Sequence, residues 1–113
     1  MSDKELPIEL DVSEVKSLRD QGESFVLLDV REREEYDFAK IEGSVLIPMS
    51  ELRDRLDELE PHRGERIVVH CHHGGRSMQV TNALRARDYP KCQNMAGGIE
   101  QWSLQIDPSV PRY

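Results

Sequence analysis

Ile67-Val68-Val69-His70 runs straight into Cys71-His72-His73-Gly74-Gly75-Arg76-Ser77, and this junction constrains the fold more than any other stretch of the chain. A short, continuously apolar run reads as a buried strand, and Ser77 to Arg85 reads as the helix that follows. The glycine loop between them therefore sits at the carboxyl end of a strand and at the amino end of a helix. A thiol at such a place meets converging backbone N–H groups and the positive end of a helix. Both favour the thiolate, and the guanidinium of Arg76 adds to them. An ordinary cysteine titrates near ~8.5, and a shift of about two units, worth about 2.7 kcal/mol, makes it mostly thiolate at neutral pH. Cys71 is thus the candidate nucleophile, with His72, His73, Gly74, Gly75, Arg76 and Ser77 as the loop that holds what it binds. The plainer alternative, a small apolar residue closing a strand, does not explain the two histidines, two glycines and arginine that follow it.

Around this junction, strand and helix signals alternate along the chain, which predicts an α/β fold: a mainly parallel sheet of about five strands with helices on both faces. Ile8-Glu9-Leu10 reads as a first strand, and Asp11 with Glu14 as a capping box for a helix closed by Gly22. Phe25 to Val30 is too continuously apolar for an edge and reads as a central strand. Glu32 to Tyr36 is a brief helix, and Val45 to Pro48 a strand. Ser50 is expected to cap a helix over Glu51 to Leu59, with Leu52, Leu56 and Leu59 on one face and a solvated charged face opposite. Tyr89-Pro90 stops the helical pattern after the loop, Cys92 to Met95 is the last strand, and Gly97-Gly98 leads into a helix holding Trp102.

Four segments in order carry a family likeness: Leu28-Asp29-Val30-Arg31-Glu32 with Glu35-Tyr36, Ile41-Glu42-Gly43-Ser44 leading to Ile47-Pro48, the loop from Cys71 to Ser77, and Met95 to Trp102. Through them the chain resembles the rhodanese-like sulfurtransferases over nearly its whole length. It departs from the usual pattern at Ala39-Lys40, Glu42 and Ser44, all outside the nucleophile loop. The resemblance implies double displacement: Cys71 attacks the outer sulfur of a donor such as thiosulfate, becomes a persulfide, and passes that sulfur to cyanide, a thiol or a protein. It implies no cofactor. It also brings Asp29 and Arg31 near the loop, either as braces or as a simple strand-end ion pair. The tail from Asp107 to Tyr113 resembles the ending of rhodanese domains fused to enzymes that activate ubiquitin-like sulfur carriers, which makes such a carrier, or a thioredoxin-like protein, an expected acceptor.

Loop length bears on the competing chemistries of this fold. Cys-x5-Arg phosphatases and some arsenate reductases enclose a tetrahedral oxyanion, whereas four residues lie between Cys71 and Arg76. The tighter ring suits one extra sulfur atom. A non-catalytic interaction module is a third reading, opposed by the presence of Cys71, Gly74, Gly75 and Arg76.

His70 to His73 offers four potential metal ligands in a row, but adjacent strand residues face opposite ways and structural zinc sites need a second cluster, so no metal is expected. Cys92 reads as the start of a buried strand, with a resolving thiol as the minority alternative. A chain of 113 residues, 37% hydrophobic, supports a single domain over 1–113, with short flexible ends at about 1–6 and 107–113. Two cysteines and no secretory or membrane-spanning pattern favour the cytoplasm, and a net charge of −7 argues against nucleic acid as a partner.

Overall fold

The computed structural model describes residues 6–113. Five parallel strands form one sheet: β1 (Glu9–Leu10), β2 (Val26–Asp29), β3 (Val45–Leu46), β4 (Ile67–His70) and β5 (Cys92–Met95), in the spatial order β1-β5-β4-β2-β3. The helices are α1 (Val12–Asp20), α2 (Arg33–Phe38), α3 (Gly75–Arg85) and α4 (Gly98–Gln105). Parallel neighbours require crossovers, so the two most apolar runs, β2 and β4, take interior positions and pair over Val26 to Asp29 and Ile67 to His70.

Side chains alternate across the sheet and divide the core in two. Leu27, Val68 and Met95 join Val12, Val15, Ile99 and Trp102 from α1 and α4 on one face. Leu28, Ile67, Val69 and Cys92 join Val80 and Leu84 of α3 on the other. Cys71 belongs to this second cluster, which places its loop on the α3 side. The Asp11 capping box forms as expected, with the Asp11 carboxylate accepting from Glu14 N–H and Glu14 accepting from Asp11 N–H at 2.9 Å each.

The segment after β3 departs from the expected α-helix. It is a 3-10 helix over Met49–Glu58, kinked at Arg55, followed by a second short one over Glu60–His62. Ser50 lies inside it and does not cap it. Its hydroxyl donates to Glu32 Oε1 at 2.7 Å, so its hydrogen-bonding capacity is used between elements. The apolar face is as read: Leu59 is buried, and Leu52 and Leu56 pack on the second cluster. Arg55 reaches Glu51 at 3.0 Å and Glu58 at 2.7 Å on the outer face.

The expected flexible start lies, apart from Leu6, outside the described residues. At the other end, where a loose segment is expected, residues 107–113 lie against the domain. Val110 is buried, Ser103 Oγ donates to its carbonyl at 2.6 Å, and Tyr113 reaches the loop after β4. No helix among the described residues is long and apolar enough to cross a membrane.

Candidate active site

Cys71 follows β4 directly and is 1% exposed. The chain then turns through His72 and His73 into α3, and Gly74, at φ +116°, supplies the one backbone conformation in this turn that disfavours a side chain. The turn aims donors back at the sulfur. Gly74 N–H lies 3.1 Å from Sγ, Ser77 N–H 3.4 Å, and the Ser77 hydroxyl 3.3 Å. Burial raises the Cys71 thiol, and the Ser77 hydroxyl with the N–H groups of Ser77, Gly74 and His73 outweighs it, so the thiol lies below its ordinary value. Hydrogen bonding to the charged form is the cause, and the first turn of α3 supplies much of it.

A second helix end braces the same loop. Ile99 N–H donates to the Cys71 carbonyl at 2.9 Å and Glu100 N–H to the His72 carbonyl at 3.1 Å, so the amino end of α4 holds the loop backbone from below. Gly98, at φ +58°, makes this approach feasible, since a Cβ there would collide with the carbonyl oxygens of Cys71 and His72.

Arg76 does not aim freely into the loop. Its guanidinium forms a bidentate pair with Glu35 of α2, Nη1 to Oε1 at 2.7 Å and Nη2 to Oε2 at 2.9 Å. Arg76 chiefly holds the Glu35 carboxyl down to about 2, against the smaller opposing effect of burial and with help from Glu32 N–H and the Tyr113 hydroxyl. The guanidinium expected to favour the thiolate is therefore also bound to a carboxylate, and it ties α3 to α2.

Asp29 and Arg31 form a fully buried ion pair at 2.7 Å. Arg31 also donates to the carbonyls of Ala39 at 2.6 Å and Glu35 at 3.3 Å, and to Tyr113 Oη at 2.9 Å. The pair therefore reaches the loop at one remove, through Glu35 and Tyr113. His70 lies opposite Asp29 in the β2–β4 register, its Nε2 3.8 Å from Oδ2. Burial first, then Arg31, push His70 down to about 4 against the pull of Asp29, so the ring is neutral. Strand alternation turns it to the face opposite Cys71, and the four consecutive potential ligands do not converge.

Two contributors went unassigned in the sequence. Glu35 was legible only as part of a motif, and Tyr113 only as part of a tail. The Tyr113 ring stacks on His72 at 3.9 Å and 7°, and the His73 ring lies 3.9 Å from His72, tilted by 32°. Its hydroxyl accepts from Arg31 and donates to Glu35 Oε2 at 2.8 Å. The rings of Tyr113, His72 and His73 thus sit on the loop that carries Cys71. Cys92, the other free cysteine, is buried under α3, and burial pushes its thiol up to about 12.

Residues 11–105 match the family model of the rhodanese-like domain. A maize protein described as adenylyltransferase and sulfurtransferase MOCS3-1 is 34% identical over 105 residues, covering 88% of this chain but 22% of that protein. The putative sulfur carrier protein YrkF of Bacillus subtilis is 35% identical over 95 residues, covering 84% of this chain and 50% of that protein. The chain thus spans half or less of the length of these curated relatives. Among solved structures, the human single-domain sulfurtransferase TSTD1 superposes with a TM-score of 0.78 at 29% identity, covering 88% of this chain and 97% of that one.

Proposed function

This chain belongs to the rhodanese-like domain family, and from that footing we propose that it is a sulfurtransferase working through a Cys71 persulfide. The Cys71 thiolate attacks the sulfane sulfur of a donor such as thiosulfate, and the bond between the donor's two sulfurs breaks with its electron pair leaving on sulfite. The sulfur now on Sγ then passes to a nucleophile: cyanide in an assay, a thiol or a protein in the cell. The observation that carries this reading is the set of N–H and hydroxyl donors within 3.1–3.4 Å of Sγ, which suits an anionic sulfur. Nothing in the step requires a metal or an organic cofactor.

The protein acceptor we favour is a ubiquitin-like sulfur carrier or a thioredoxin-like protein in a reducing, cytoplasmic setting, supported by the kinship with the maize protein and with YrkF. Persulfide chemistry ranks above phosphate or arsenate chemistry because α3 begins at Gly75, one residue before Arg76, and Arg76 is occupied by Glu35. A purely non-catalytic interaction module leaves the lowered Cys71 thiol without a purpose. The test is sulfur transfer from thiosulfate to cyanide. Cys71→Ser is expected to abolish thiocyanate formation and Cys92→Ser to retain it, and the opposite pattern would overturn the assignment.

A further inference from the structure

If Cys71 is loaded as proposed above, the charges around it bear on which donors it accepts, and this inference rests on that reading. Three arginines surround the loop, and each is matched by a carboxylate. Arg76 is held in a fork by Glu35 at 2.7 and 2.9 Å. Arg31 is buried against Asp29 at 2.7 Å. Arg112 pairs at 2.6 Å with Glu100, in the turn of α4 that grips the His72 carbonyl. Glu35 is further held by the Tyr113 hydroxyl and by Glu32 N–H at 3.0 Å, so Arg76 cannot turn to a ligand without abandoning a carboxylate that stays charged. His72 is pushed down by burial and then by His73, both of which disfavour a charge on its ring.

The paired charges cancel, which leaves the thiolate's own negative charge facing an approaching donor, on a chain of net charge −7. Loop amides stabilise one anionic sulfur but carry no net charge with which to draw in a dianion. We infer that sulfur loading discriminates by donor charge: the site takes sulfane sulfur from carriers without surplus negative charge, and small dianions such as thiosulfate are poor donors. The step is the same for each thiosulfonate. The Cys71 thiolate and R–SO2–S⁻ give Cys71–S–S⁻ and R–SO2⁻; one S–S bond forms, one breaks, and the electron pair leaves with the sulfinate.

The test follows the loading rate of the reduced full chain by intact mass, with thiosulfate (dianion), methanethiosulfonate (monoanion) and thiotaurine (a zwitterion of no net charge). Sodium chloride is varied from roughly 20 to 300 mM, which brings the screening length down to a few ångströms. Intrinsic donor reactivity drops out because each donor is compared with itself. Thiosulfate loading is expected to rise about threefold with salt, methanethiosulfonate loading to rise less, and thiotaurine loading to stay flat. Glu35→Gln, which frees Arg76 to offset the thiolate's charge, is expected to flatten the thiosulfate dependence. Glu100→Gln, which frees Arg112, is expected to weaken the rise should the first variant not fold. Thiosulfate loading that falls with salt in the unaltered chain, or a slope that neither variant changes, overturns the inference. Loading by none of the three donors removes the sulfurtransferase reading itself, and this inference with it.

Discussion

Ser77→Ala tests how the thiolate is stabilised. The Ser77 hydroxyl has one proton and two acceptors in reach, Cys71 Sγ at 3.3 Å and the Gly74 carbonyl at 3.2 Å, and a charged sulfur should claim it. A hydrogen bond to a charged group is worth about 1.5–3 kcal/mol. The long distance to sulfur and the surviving N–H donors of Gly74 and Ser77 argue for the lower end. One pKa unit corresponds to about 1.4 kcal/mol, so the variant's thiol should titrate about one unit higher. Alkylation by iodoacetamide, followed across pH, reads this directly. Well below both pKa values the variant should react about tenfold more slowly, and above them at a similar rate. Cys92 supplies an internal control, because its buried thiol, pushed up to about 12, should stay unmodified. A shift under about 0.3 unit, in a variant whose melting temperature is unchanged, would show that the loop amides act alone and would refute the role given to the hydroxyl.

Gly98→Ala should cost about 1–3 kcal/mol in urea unfolding from strain at φ +58°, and should also slow Cys71 alkylation, because the new Cβ meets the loop carbonyls. Glu35 has a folded-state value near 2 against an ordinary 4.5, so its contribution is complete above about 4.5 and is lost as pH falls through 2. The shift bounds that contribution at about 3 kcal/mol, and partial exposure reduces it to about 1–2. Glu35→Gln should therefore be less stable than the parent at pH 7 and nearly equal to it at pH 2, measured by denaturant titration. Inserting one glycine between Gly75 and Arg76 restores a five-residue spacing. It should abolish sulfur transfer, and the unaltered chain should hydrolyse aryl phosphates only at background rate.

The sequence displayed the sheet and the Cys71 loop because both rest on local chemistry. The runs 25–30 and 67–70 could only be interior strands, and a cysteine between a strand and a glycine loop has few other uses. The geometry of Met49–Glu58 was hidden because Leu52, Leu56 and Leu59 fit a 3-10 and an α-helix about equally well at four- and three-residue spacing. Ser50 looked like a cap because nothing nearby in sequence announces that Glu32, 18 residues earlier, takes its hydroxyl. Glu35 sits in the acidic run of α2, where one carboxylate that binds Arg76, 41 residues away, resembles its solvated neighbours. Tyr113 lies 82 residues from Arg31, and only the closed fold brings the two together. Arg76 shows the same limit in reverse: its type and spacing were legible, while its partner was not.

The most direct measurement of the central claim is the intact mass of the reduced protein before and after exposure to a sulfane sulfur donor. Peptide mapping then locates any added atom. Persulfide chemistry at the loop predicts a gain of one sulfur atom on the peptide carrying Cys71, removed by a thiol reductant and absent in Cys71→Ser. An unchanged mass under donors of every charge, or a sulfur found on Cys92 instead, would contradict it.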